Sequence, residues 1–143
     1  MKSPLLLDES AAIFRLETLD EVFAGGKVPK HTLSLWGQVK LSVPPANAGA
    51  GAGTVGEGIA DLAFGPDGAL YLCANAPKGR PHDGGGALWR IATPKGGRME
   101  ATLVRRFPGL KPEGVTVAPD TRALTLVFDR DRRDPLWMTW PLD

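Results

Sequence analysis

At 143 residues and 43% apolar content the chain is long enough to bury the core of one domain, 1–143. Its net charge of +1 gives no electrostatic footing for nucleic acid or an anionic membrane surface, no apolar run reaches the roughly 18 residues of a membrane span, and the single Cys73 excludes an internal disulfide framework. The 18 glycines and 13 prolines suit short strands joined by tight turns.

The start of the chain, Met1-Lys2-Ser3-Pro4-Leu5-Leu6-Leu7-Asp8, has three consecutive leucines before an acid, too few for a signal-peptide apolar region, so the chain as given reads as cytoplasmic. Pro4 to Leu7 is a short apolar run closed by Asp8-Glu9-Ser10. Ala12 to Glu17 sets Ile13, Phe14 and Leu16 among polar neighbours. Leu16, Leu19 and Phe23 have helical spacing, but the β-branched Thr18 and the match of this segment to later strands favour strand. Thr32 to Val43 alternates cleanly, with Leu33, Leu35, Gly37, Val39, Leu41 and Val43 on one face until Pro44-Pro45 stops it. Residues 44–56 have almost nothing to pack and read as a flexible Gly/Ala/Pro linker.

Ile59 to Phe64 and Ala69 to Ala74 form the arms of a predicted hairpin around Gly65-Pro66-Asp67-Gly68, in which Pro presets φ and Gly accepts φ > 0. Cys73 lies within the returning arm and reads as a small core thiol. Pro77 to Gly86 is a long polar loop. Ala87 to Ala92, Ala101 to Phe107, Val115 to Val117, Ala123 to Phe128 and Leu136 to Trp140 complete the strands, and no segment predicts a helix.

The chain repeats itself. Glu57-Gly58-Ile59 leads through Pro66-Asp67-Gly68-Ala69-Leu70-Tyr71-Leu72 to Leu88-Trp89, and Glu113-Gly114-Val115 leads through Pro119-Asp120 and Ala123-Leu124-Thr125-Leu126 to Leu136-Trp137. A period of roughly 40 to 55 residues is that of propeller blades. On this phase 57–107 supplies a full four-stranded blade, 113–140 a blade lacking its fourth strand, 4–23 the second and third strands of another, and 32–43 an extra strand. The expected fold is therefore all-β, with antiparallel blade-type sheets forming an incomplete propeller of two to three blades. Its unpaired sheet edges point to a homo-oligomer.

EGIADLAFGPDGALYL followed by ALWRI resembles blades of the six-bladed propellers that include NHL repeats and gluconolactonase-type lactonases. The span GIADLAF…DGALYL…GALWRI…PEGVTV…LTLVFD looks like the C-terminal half of a bacterial propeller-like family of unassigned function. The resemblance covers about residues 55–142, and it implies a fold more than an activity. In lactonase-like propellers the position before the Gly that opens an innermost strand projects a ligand for a divalent cation into the central channel. Here that position is Glu57 and Glu113. By this resemblance the pair, with Asp61 or a third ligand, would hold Ca²⁺ or Mg²⁺, and the ion would polarise a substrate carbonyl or phosphoryl oxygen. The competing role for both glutamates is to satisfy backbone N–H groups at strand entry.

Other candidates come from the residues alone. Asn75 and Asp129 end the equivalent strands LYLCAN and LTLVFD and form a candidate substrate-binding pair, against the ordinary role of turn caps. His82, beside Asp83 in a Gly-rich loop, is the candidate general base, and Arg80 in that loop a candidate anion contact. Gly51-Ala52-Gly53-Thr54-Val55-Gly56 has the spacing of a dinucleotide fingerprint but lacks the preceding strand and following helix. Arg130-Asp131-Arg132-Arg133-Asp134 alternates in sign and reads as a solvated turn. Trp89 and Trp137 stand at equivalent sequence positions and read as packing between blades.

Three functions follow as expectations: a ligand- or partner-binding module without catalysis, a metal-dependent lactonase- or phosphoesterase-type hydrolase using Glu57, Glu113 and His82, or a self-assembling structural protein or truncated relic.

Overall fold

A computed structural model of the protein describes residues 11–16, 33–43, 55–75, 85–118, 120, 122–130 and 133–142. The described residues form strands only: β1 (Ala11–Leu16), β2 (Leu33–Val39), β3 (Ser42–Val43), β4 (Val55–Gly56), β5 (Gly58–Phe64), β6 (Leu70–Asn75), β7 (Gly86–Ile91), β8 (Gly97–Met99), β9 (Thr102–Phe107), β10 (Lys111–Ala118), β11 (Ala123–Asp129) and β12 (Leu136–Pro141). No helix among them is long and apolar enough to cross a membrane.

The central sheet runs β5-β6-β7-β9 with every neighbouring pair antiparallel. A second sheet runs β10-β11-β12, also antiparallel, and a third runs β1-β2-β8. The short pair β3-β4 joins Ser42 to Gly56 and Val43 to Val55.

The sheets stack because β6 and β7 carry apolar residues on both faces. Leu70, Leu72 and Ala74 of β6 point one way and join Ala87, Trp89 and Ile91 of β7 with Ile13, Val39, Leu41 and Met99, which closes a first core against the β1-β2-β8 sheet. Ala69, Tyr71 and Cys73 point the other way, with Leu88, and meet Val115, Leu124, Leu126 and Phe128 in a second core against β10-β11-β12. Phe107 and Phe128 meet edge to face there, with centroids 5.0 Å apart. Arg105 of β9 lies 4.8 Å from the centroid of Trp140 on β12, a second tie between these sheets.

Three sequence expectations change. The alternating face predicted over 32–43 does not persist, because Ile13 pairs with Gly37 while Phe14 pairs with Leu35, leaving Trp36 as an extra residue. This bulge reverses the inward face: Gly37, Val39 and Leu41 are buried, whereas Leu35 leaves the core and Trp36 packs against it. One pair of strands is parallel: Gly97, Arg98 and Met99 of β8 align with Gly37, Gln38 and Val39 of β2, so the first sheet takes a strand from the connection between β7 and β9.

The third change concerns the tryptophans. Trp89 opposes Leu72 in the first core, but Trp137 opposes Val127, not Leu126, the counterpart of Leu72. A slip of one residue turns the side chain to the other face, and Trp137 is accordingly 71% exposed. The expected packing role therefore holds for Trp89 and fails for Trp137. Pro4–Leu7, Leu19–Phe23 and the 77–84 part of the polar loop lie outside the described residues.

The turns before β6 and β11 offer a test of backbone strain. Gly68 takes φ +76° immediately before Ala69, and Arg122 takes φ 46° immediately before Ala123. Gly68 has open space where a Cβ would stand, so only its backbone conformation disfavours a larger residue. Arg122→Gly is expected to raise stability by about 0.5–1 kcal/mol and Gly68→Ala to lower it by about 1 kcal/mol, as read from urea unfolding midpoints.

Candidate functional site

The acidic and amide residues singled out in the sequence gather where the central sheet meets its neighbours, yet on two different faces. Glu57 sits between β4 and β5 and is 5% exposed. Its backbone N–H donates to the Leu41 carbonyl at 2.8 Å, which fixes the strand entry. Its carboxylate Oε2 accepts the indole N–H of Trp89 at 2.9 Å. Trp89 belongs to the first core, so Glu57 faces the β1-β2-β8 sheet. Burial of a carboxylate requires such donors, since an unsatisfied buried charge is strongly unfavourable.

Asp61 lies on the opposite face, opposite Cys73 across the β5-β6 ladder. Its Oδ1 accepts the N–H of Leu62 at 2.9 Å, and its Oδ2 accepts the N–H of Val115 on β10 at 2.9 Å. This bond joins the edge strands β5 and β10 of two sheets through one side chain.

Asn75 and Glu113 meet. Asn75 Nδ2 donates to the Pro112 carbonyl at 3.1 Å and to Glu113 Oε1 at 3.2 Å. Its amide is seated against Gly86, where a Cβ would fall 2.3 Å from both Asn75 Oδ1 and the Ala74 carbonyl, so glycine is required there. Asn75 thus ties the end of β6 to the start of β10, and Glu113 remains exposed to solvent. Asp129, the counterpart of Asn75, is exposed at the end of β11 and pairs in register with Lys111. The structure therefore brings Asn75 to Glu113 and does not bring Asp129 to either. Glu57 and Glu113 hold equivalent positions, each facing the preceding sheet, and the central sheet separates them.

Among the described residues no group of three or more His, Cys, Asp and Glu side chains is placed to hold a metal ion. The Glu57, Asp61 and Glu113 carboxylates accept hydrogen bonds that join strands and sheets. His82 and Arg80 lie outside the described residues.

A cluster that sequence reading missed closes the β5-β6 hairpin. Arg90 of β7 donates from Nη2 to Asp67 Oδ2 at 2.7 Å and from Nε to the Tyr71 hydroxyl at 3.2 Å. Tyr71 donates to the same Asp67 oxygen at 3.4 Å, and Asp67 Oδ1 accepts the Ala69 N–H at 3.1 Å. The hydrogen bond from Arg90 holds the Asp67 carboxyl below its ordinary range, and the same contact raises Arg90. The Pro-Asp-Gly turn was visible in the sequence; that Arg90, two strands away, reaches it depends on the ladder register that sets Tyr71 opposite Arg90. The depressed Asp67 favours the fold at neutral pH, and that contribution disappears as pH falls below about 3.8.

Cys73 is fully buried, and burial pushes its thiol up to about 12, with the nearby Asp61 carboxylate adding to the effect. A folded-state value above the ordinary 9.0 means stability is complete below that pH and declines as pH rises towards 12. Two outcomes follow. Cys73 should resist thiol labelling at pH 8 in native buffer and react fully in denaturant. Trp89→Phe, which removes the donor to Glu57, should lower stability by about 1.5–3 kcal/mol in urea unfolding. Compared with known proteins, the chain matches no family model, and no curated protein or solved structure matches it.

Proposed function

We propose that the chain is a propeller-like binding module without catalysis, whose stacked blade-type sheets take a further sheet as partner through the outward face of β10-β11-β12. One observation carries this reading. Both faces of β6 and β7 are covered by neighbouring sheets, but the outward face of β10-β11-β12 presents Trp137 at 71% and Val127 at 41% exposure, directly opposite one another. Around them Thr125 opposes Thr139, and Thr116 opposes Thr125, giving a β-branched surface of low charge. A large exposed aromatic beside apolar and threonine side chains is the composition of an interface centre.

The occupant that fits is another apolar sheet face, and a second copy of the chain supplies one. The repeat supports this: the face of the central sheet equivalent to the Trp137 face is the one that receives β10-β11-β12. The engagement of Glu57, Asp61 and Asn75 in bonds between strands and sheets supports a structural rather than catalytic use of these polar groups.

The expected result is a mass above that of the monomer by light scattering at high concentration, falling on dilution. Trp137→Ser should shift the association midpoint at least tenfold, the effect of about 1.4 kcal/mol, since an aromatic at an interface centre typically contributes more than this. A wild-type protein that remains monomeric at all concentrations, or a Trp137→Ser protein that associates unchanged, defeats the second-copy reading.

A further inference from the structure

A pocket of about 420 Å³ opens where the first sheet and the central sheet part beyond the first core. Ile13, Phe14 and Arg15 of β1, Trp36 of β2, and Leu62 and Phe64 of β5 line it. Ile13 belongs to the core, so the pocket is an outward extension of the same sheet interface. The bulge that leaves Trp36 unpaired is what builds it: with the ladder interrupted between Ile13 and Phe14, these consecutive residues both border one cavity. Trp36 and Phe64 pack against each other in its wall, with centroids 6.3 Å apart and planes inclined by 56°. Phe14 and Phe64 are 58% and 57% exposed, high values for aromatic residues beside a core.

The size falls within the range of small-molecule sites, roughly 300–1,000 Å³, and the lining has their usual character, aromatic and aliphatic with few polar groups. Among the described lining residues Arg15 alone carries a charge, and it is exposed. A guanidinium at the rim of an aromatic pocket complements a carboxylate, sulfonate or phosphate on an apolar body. We propose that this pocket binds a small amphipathic anion, an aryl or alkyl acid, with its apolar body against Trp36, Leu62 and Phe64 and its anionic group on Arg15. This site is separate from the Trp137 face, which lies on the far sheet, so either proposal can fail without the other.

The test uses two fluorescent probes of nearly the same shape, anilinonaphthalene sulfonate and the uncharged phenylnaphthylamine, titrated into the native full chain. The expected result is saturable binding of one sulfonate per chain, with Arg15→Gln weakening it about tenfold or more, the loss expected for one charge-assisted hydrogen bond. The uncharged probe should bind Arg15→Gln and wild type alike. Phe64→Ser should weaken both probes, and Trp137→Ser neither. Phe14→Ser provides a second pocket variant if Phe64→Ser changes the near-ultraviolet circular dichroism. Absence of saturable sulfonate binding overturns the proposal, as does a sulfonate affinity indifferent to Arg15. Unchanged affinity in a folded pocket variant, or a loss on Trp137→Ser instead, also overturns it.

Discussion

Strands β6 and β7 have no solvent face for most of their length, and this constraint organises the protein. A strand that is apolar on both sides needs two partners, so the central sheet is stable only between two others. Leu70 and Leu72 reach one neighbour while Tyr71 and Cys73 reach the other, and the two cores share these strands as a common wall. The polar residues are arranged around this wall. Glu57 and Trp89 pin one face, Asp61 and Asn75 pin the other, and Asp67 with Arg90 closes the turn at one end.

The arrangement determines where chemistry has room. Glu57 accepts an indole N–H and Asp61 holds a backbone N–H of the neighbouring sheet, so both carboxylates bond between elements. Among the described residues, exposed aromatic and apolar side chains gather on the outward face around Trp137 and in the cleft around Trp36 and Phe64. Both originate in irregular registers, a slip of one residue in β12 relative to the repeat and an inserted residue in β2. Shifts of a single residue are small in the chain, but a strand alternates its faces, so each one exchanges inside for outside.

The same arithmetic explains how much was legible beforehand. The all-β class and the short strands around Pro66-Asp67-Gly68 follow from period-2 patterns and turn chemistry, which are local. The inward face of Leu70 and Leu72 could be read from alternation, but the face of Trp137 depends on its cross-strand partner, which no local pattern encodes. Strand β8 was missed because Gly97-Arg98-Met99 has a single apolar residue, and it is strand only because β2 offers an edge. Among candidate site residues, Asn75 and Glu113 meet because strand ends coincide at Pro112, whereas Asp61 was singled out for a metal and is found bonded to the Val115 amide. A carboxylate near a strand start has the same sequence appearance in either role. The Arg15 pocket carried no signal, since its six described lining residues come from three separate strands.

The parallel pairing of β2 with β8 has a consequence for synthesis. Met99, which completes the first core beside Val39, is translated only after the whole of β3 to β7. At elongation rates of roughly 5 to 20 residues per second, the β1-β2 hairpin waits on the order of seconds for its third strand. During that interval the edge of β2 that receives β8 is open, and an open strand edge is a template for pairing with another chain.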